Sequence, residues 1–127
     1  MIRLPPLARF ALFAAGMLSM AQAIAGGDAA MGRALYQARC SVCHSVDYNG
    51  VGPAHKGVFG RRIGTAPDFE YSPALRNATG YWTAENLDRW LTDPEKFLPG
   101  QRMNFSLESA QDRANVIEYL KSLSTRE

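Results

Sequence analysis

Both cysteines of the chain and one of its two histidines fall within five residues, Cys40-Ser41-Val42-Cys43-His44. The C-x-x-C-H spacing is the signature of c-type haem attachment. Residues three apart on a helical turn face the same way, so Cys40 and Cys43 can each present a sulfur to one of two adjacent vinyl groups. His44, four after Cys40, is then placed to offer an imidazole nitrogen to the iron. A structural disulfide, a thioredoxin-like pair and half of a zinc site compete for the same residues. Export permits the disulfide, but the redox pair belongs in a βαβ setting that this sequence lacks. Zinc needs more ligands than Cys40, Cys43, His44 and His55 supply. A haem iron has a sixth position, whose occupant separates electron transfer from ligand chemistry. Once Met1, Met17 and Met20 are removed with a leader and Met31 is assigned to the core of the first helix, His55 and Met103 remain as candidates.

The elements that must position these residues are helical. The first helix runs from Asp28 as N-cap through Arg39 and leads directly into Cys40, with Met31 and Leu35, then Gly32 and Tyr36, four apart on neighbouring faces. A second begins at Thr83 and carries Leu87, Trp90 and Leu91 before Pro94 stops it. The last opens on Ser109 and Asp112 and has Val116, Tyr119, Leu120 and Leu123 as its apolar stripe, with Arg113, Glu118 and Lys121 facing outward. Between Asp47 and Gly80 lie Gly50, Gly52, Pro53, Gly57, Gly60, Gly64, Pro67 and Pro73, with few periodic apolar positions. A loop of that length implies that something fills the domain's interior.

Arg3 and Arg9 precede the apolar run from Phe10 to Met20, and small residues follow it, which is the pattern of a secretory leader. Cleavage after Ala25 is preferred to cleavage after Ala23, giving a leader over 1–25 and one domain over 26–127. The apolar run is too short for a retained anchor, so no stable membrane insertion is expected after cleavage. Once Arg3 and Arg9 leave with the leader, twelve basic residues face twelve acidic ones. That balance gives no support for nucleic-acid binding.

From Gly27 to the C-terminus the chain resembles the class I cytochromes c, mitochondrial and soluble bacterial. The likeness runs through Gly32 and Tyr36, the Cys40-Cys43-His44 motif, Gly52-Pro53, Gly57 to Arg61, Phe69 to Ser72 and Leu91 to Phe105. It implies an all-α fold, three main helices and ordered loops wrapped around one covalently attached haem. Gly32 and Tyr36 would pack against Val116 and Tyr119 of the last helix. The resemblance makes His44 and Met103 the iron ligands, with the Pro53 carbonyl orienting His44. Arg61, Tyr71 and Trp82 would meet a haem propionate, and Trp90 and Phe105 would also contact the cofactor. Lys56 stands where relatives often have histidine, so His55 inherits no role and reads as a solvated loop residue. Trp90 replaces a tyrosine beside the methionine, and its N–H can donate but not accept. Arg39, Lys96 and Arg102 resemble a basic docking rim, offset by Glu95. The implied activity is electron carriage rather than catalysis. A monomer in the periplasm would shuttle between redox partners such as a quinol-cytochrome c reductase and a terminal oxidase or a dehydrogenase.

Overall fold

The computed structural model describes residues 26–124, so the expected leader over 1–25 lies outside the described residues. Five helices follow one another: α1 (Ala29–Arg39), α2 (Pro73–Arg76), α3 (Ala84–Thr92), α4 (Pro94–Phe97) and α5 (Ala110–Ser122). Among the described residues the sole β feature is an isolated antiparallel bridge between Arg62 and Tyr81, and no helix is long and apolar enough to cross a membrane. The three long helices are the expected ones, each started by the expected side chain. The Asp28 carboxylate accepts from the Ala30 and Met31 amides, the Thr83 hydroxyl from Asn86 N and the Ser109 hydroxyl from Asp112 N.

The two short helices break up stretches that the sequence reads as loop. Ser72 caps α2 and Pro73 opens it, while Asp93 both ends α3 and caps α4, with Pro94 at the first position. Proline has no N–H to lose there, and its fixed φ suits a helix start. Pro94 therefore ends one helix by beginning another.

α5 packs against both α1 and α3, which widens its buried face to Asn115, Val116, Ile117, Tyr119, Leu120 and Leu123. Two expectations fail here. Arg113 is not an outward residue: its side chain is 12% exposed, its Nε donates to Asp88 Oδ1 at 2.7 Å, and its Nη1 donates to the Leu107 and Glu108 carbonyls. Met31 is not core: it is 62% exposed, because α1 buries the face carrying Gly32 and Tyr36. As expected, that face meets α5: the rings of Tyr36 and Tyr119 lie 5.2 Å apart, edge to face.

Buried Asn115 fastens the start of α1 to α5, its Oδ1 accepting from the Asp28 amide at 2.8 Å. Asp28→Ala keeps that backbone bond and loses only the carboxylate cap. It should cost about 1 kcal/mol, lowering the thermal midpoint by roughly 4–8 °C. A melt followed by far-ultraviolet circular dichroism checks this.

The segment between α1 and α3 is ordered by backbone pairing with its own later turn. Gly60 N donates to Trp82 O at 2.9 Å, Trp82 N to Arg61 O at 2.8 Å and Ile63 N to Gly80 O at 3.0 Å. At Gly64 a side chain is doubly barred, since φ is +75° and a Cβ would strike the Leu75 carbonyl. These bonds carry Arg61 and Trp82 inward, where they line a cleft together with Tyr71 and residues of α3.

Candidate functional site

The Cys40–His44 segment continues α1 as tight turns. Cys40 N donates to Tyr36 O at 2.8 Å, while Cys43 N and His44 N both donate back to Cys40 O, at 3.1 and 2.9 Å. Cys40, Cys43 and His44 thereby reach one cleft. Both thiols are unbridged, Cys40 partly buried and Cys43 exposed. Burial, offset in part by Arg39, pushes the Cys40 thiol up to about 11.

His44 is fixed from one side. Its Nδ1 lies 2.9 Å from the Pro53 carbonyl, which can only accept, so Nδ1 carries the proton and Nε2 keeps a free lone pair. Burial lowers the pKa of His44, with the Pro53 bond pulling the other way. Both the tautomer and the neutral form suit metal ligation. Gly52 makes this placement possible, because a Cβ there would run into the His44 ring.

The remaining walls come from the residues the sequence singled out. Pro53, Arg61, Tyr71, Trp82, Trp90, Met103 and Phe105 all line the same cleft, alongside Val58, Leu75, Leu87, Leu91, Val116 and Leu120. Trp82 and Trp90 are buried with ring centroids 5.5 Å apart. Tyr71 is buried and its hydroxyl oxygen accepts from Ala66 N at 3.0 Å, which leaves its proton free to donate. Arg61 donates weakly to the Lys56 and Ala54 carbonyls, at 3.3 and 3.4 Å, yet its Nε is buried without a partner. An orphaned guanidinium N–H and a free phenolic proton in one cleft are the donor set for an anionic group entering it.

Met103 sits on the far loop, partly buried. The loop is pinned by a clamp that sequence reasoning missed. Glu95 of α4 accepts from Gly100 N at 3.0 Å and from Gln101 Nε2 at 3.1 Å. Gln101, 7% exposed, also donates to Asn104 Oδ1 and accepts from Asn104 N, at 2.9 and 3.0 Å. The clamp holds Asn104 at φ +48°, a conformation asparagine tolerates better than most residues. Glu95 is thus a loop fastener before it is a surface charge. The Gln-x-x-Asn pair flanking Met103 was the available signal.

One rim expectation changes as well. The Arg39 guanidinium lies 5.3 Å from the centre of the Phe105 ring, so this cation is stacked across the cleft mouth as well as solvated. Lys96 and Arg102 are exposed, as a basic rim requires. His55 departs furthest from expectation. It is a partly buried wall of the cleft, with Nδ1 2.9 Å from the Tyr36 hydroxyl and its ring stacked on His44. Burial, then His44 and Arg61, holds its pKa well below the ordinary histidine value, so it is neutral at pH 7.

The residues present fit a haem. Two thiols stand on one turn beside an imidazole with a bare nitrogen, the walls are largely apolar, and a thioether and unpaired donors from Arg61 and Tyr71 line the same cleft. Comparison with known proteins agrees. The sequence profile of the cytochrome c family matches residues 29–124. The chain is 46% identical over 99 residues to cytochrome c-type cyt cy of Rhodobacter capsulatus, covering 76% of this chain and 50% of that protein, and so spans half of that relative's length. It is 41% identical over 100 residues to cytochrome c of Euglena viridis, covering 76% of this chain and 98% of that one. The solved structure of cytochrome cH from Methylobacterium extorquens superposes with a TM-score of 0.73 at 39% identity, over 76% of this chain and 99% of that chain.

Proposed function

The chain belongs to the cytochrome c family, and on that premise we propose that it is a periplasmic carrier whose single haem is ligated by His44 and Met103. Family membership makes it a single-haem electron carrier, with haem c attached covalently through Cys40 and Cys43. When bound, the haem supplies a one-electron iron couple. The observation that carries the ligand reading is the commitment of His44 Nδ1 to the Pro53 carbonyl, which leaves Nε2 as the basic nitrogen.

The chain's own residues determine how such a couple behaves. Val58, Leu75, Leu87, Trp90, Leu91 and Leu120 keep water out of the cleft. Arg61 would neutralise, and Tyr71 would hydrogen-bond, a propionate of the bound haem. The Pro53 bond would hold His44, and the Glu95–Gln101–Asn104 clamp the loop that carries Met103, in the places a bound haem iron would need them. Arg39 and Arg102 at the mouth favour an acidic partner surface, and the near-neutral total keeps that steering mild. A quinol-cytochrome c reductase as donor, and a terminal oxidase or a dehydrogenase as the other partner, suit a monomer exported by the leader over 1–25.

The experiment is an absorption spectrum of the exported holoprotein, followed by denaturation. Colour that stays with the denatured chain, low-spin bands and a far-red sulfur-to-iron charge-transfer band are expected. A colourless product from a host with a working maturation system would overturn the reading. A high-spin ferric spectrum would instead favour a catalytic or gas-binding site with an open sixth position.

A further inference from the structure

The two histidines lie face to face. Their ring centroids are 3.9 Å apart and their planes differ by 21°. Backbone pairing sets this up, since His55 N donates to Ser45 O at 3.0 Å and Lys56 N to Val46 O at 2.9 Å, directly after His44. The Pro53 carbonyl that receives His44 Nδ1 lies two residues before His55. The chain therefore folds back on His44 twice within three residues, once with a carbonyl and once with a ring.

The second ring is itself anchored. Tyr36, 4% exposed on α1, reaches His55 Nδ1 with its hydroxyl at 2.9 Å, and the two rings meet edge to face at 5.6 Å and 66°. Tyr36 is in turn wedged against Tyr119 of α5. A run of aromatic contacts thus leads from the α1–α5 interface through Tyr36 and His55 to His44.

One hydrogen bond does not fix the plane of an imidazole. The Cβ tether and the Nδ1 bond leave the His44 ring some rotation about Cβ–Cγ, because a single hydrogen bond tolerates a broad range of angles. A flat ring at 3.9 Å opposes that rotation, provided it cannot turn itself. An aliphatic side chain would fill the same space without offering a plane. We propose that His55 is a positioning residue for His44: tethered by Tyr36 and stacked on the ligand's face, it sets the rotational angle of the axial imidazole. This rests on the reading of His44 as an iron ligand. It gives a purpose to a buried polar pair that electron carriage alone does not use, and it follows the general rule that groups behind a ligand orient it.

The angle of an axial imidazole governs how unpaired spin is distributed over a ferric haem, so the readout is the set of four haem-methyl hyperfine shifts in the proton NMR spectrum of the ferric holoprotein. His55→Leu keeps an apolar filler and removes the plane, and is expected to reorder the four methyl resonances or change their spread. Tyr36→Phe keeps every ring and removes only the hydroxyl, and is expected to shift the same resonances in the same direction by a smaller amount. Methyl shifts unchanged in both variants would overturn the proposal and leave His55 as a space filler. Should His55→Leu fail to fold, Tyr36→Phe decides alone, because a packing role would survive loss of one hydroxyl and leave the shifts unmoved. A failed ligand assignment looks different. His44→Ala would then retain the low-spin spectrum, and the proposal would fall with it.

Discussion

Gly32→Ala should lower the thermal midpoint of the holoprotein by roughly 12–24 °C, the equivalent of about 3 kcal/mol in a domain of this size. Alanine is the better helix former by about 1 kcal/mol, so local propensity predicts the opposite sign. The crossing of α1 over α5 reverses it. A Cβ at position 32 would be driven into the backbone carbonyl of Asn115, with the Tyr119 Cβ just beyond. A side chain in the way can turn aside, but a helical carbonyl cannot, so α1 and α5 must part along their whole contact. Such overpacking against backbone falls at the upper end of single-substitution effects. Separation would also loosen the Tyr36–Tyr119 wedge and the Asn115 bond to the Asp28 amide. A melt monitored at the visible haem bands measures the shift. A midpoint within a degree or two of wild type would mean that the helices do not touch at this residue.

That glycine also illustrates what was legible in the sequence. Their four-residue spacing put Gly32 and Tyr36 on one face of the first helix, and the family resemblance supplied the crossing by pairing that face with Val116 and Tyr119. The C-x-x-C-H motif placed the attachment site because it is local: five residues hold their own geometry. Walls assembled from distant turns, such as Arg61, Tyr71 and Trp82, were found through resemblance, since neither periodicity nor spacing marks them.

What escaped notice was long-range or double-purpose. Pro94 reads as a terminator because proline breaks helices, yet the Asp-Pro pair also begins one. Arg113 sits on the polar side of the α5 stripe, and only the approach of α3 with Asp88 buries it. His55 follows Pro53 in a glycine-rich stretch where a histidine is ordinarily solvated. Its burial comes from the return of residues 55–56 onto 45–46, which no local pattern encodes. Glu95 reads as a charge until Gln101 is seen to need an acceptor.

Met103→Ala should abolish the far-red charge-transfer band and lower the reduction potential by on the order of 0.1 V, within the ~0.8 V range that axial ligation governs. The sign follows from the ligand. A thioether is a weak donor that favours ferrous iron, so His/Met sites sit high in potential, and water or an adventitious base in its place stabilises the ferric state. The clamp around the loop makes the result interpretable. Glu95, Gln101 and Asn104 hold one another without using the sulfur, and Leu107 N is bonded to Leu91 O at 2.8 Å beyond them. Truncation at 103 therefore removes a side chain from a loop whose backbone is fastened on both sides, and the α1–α5 crossing lies on different residues altogether. The variant should keep its helical content and its covalent haem while changing colour in the far red. Spectroelectrochemical titration of wild type and variant measures both effects together. A band and a potential that survive the substitution would assign the sixth position to another residue, and the clamp would then be holding a loop with no ligand to present.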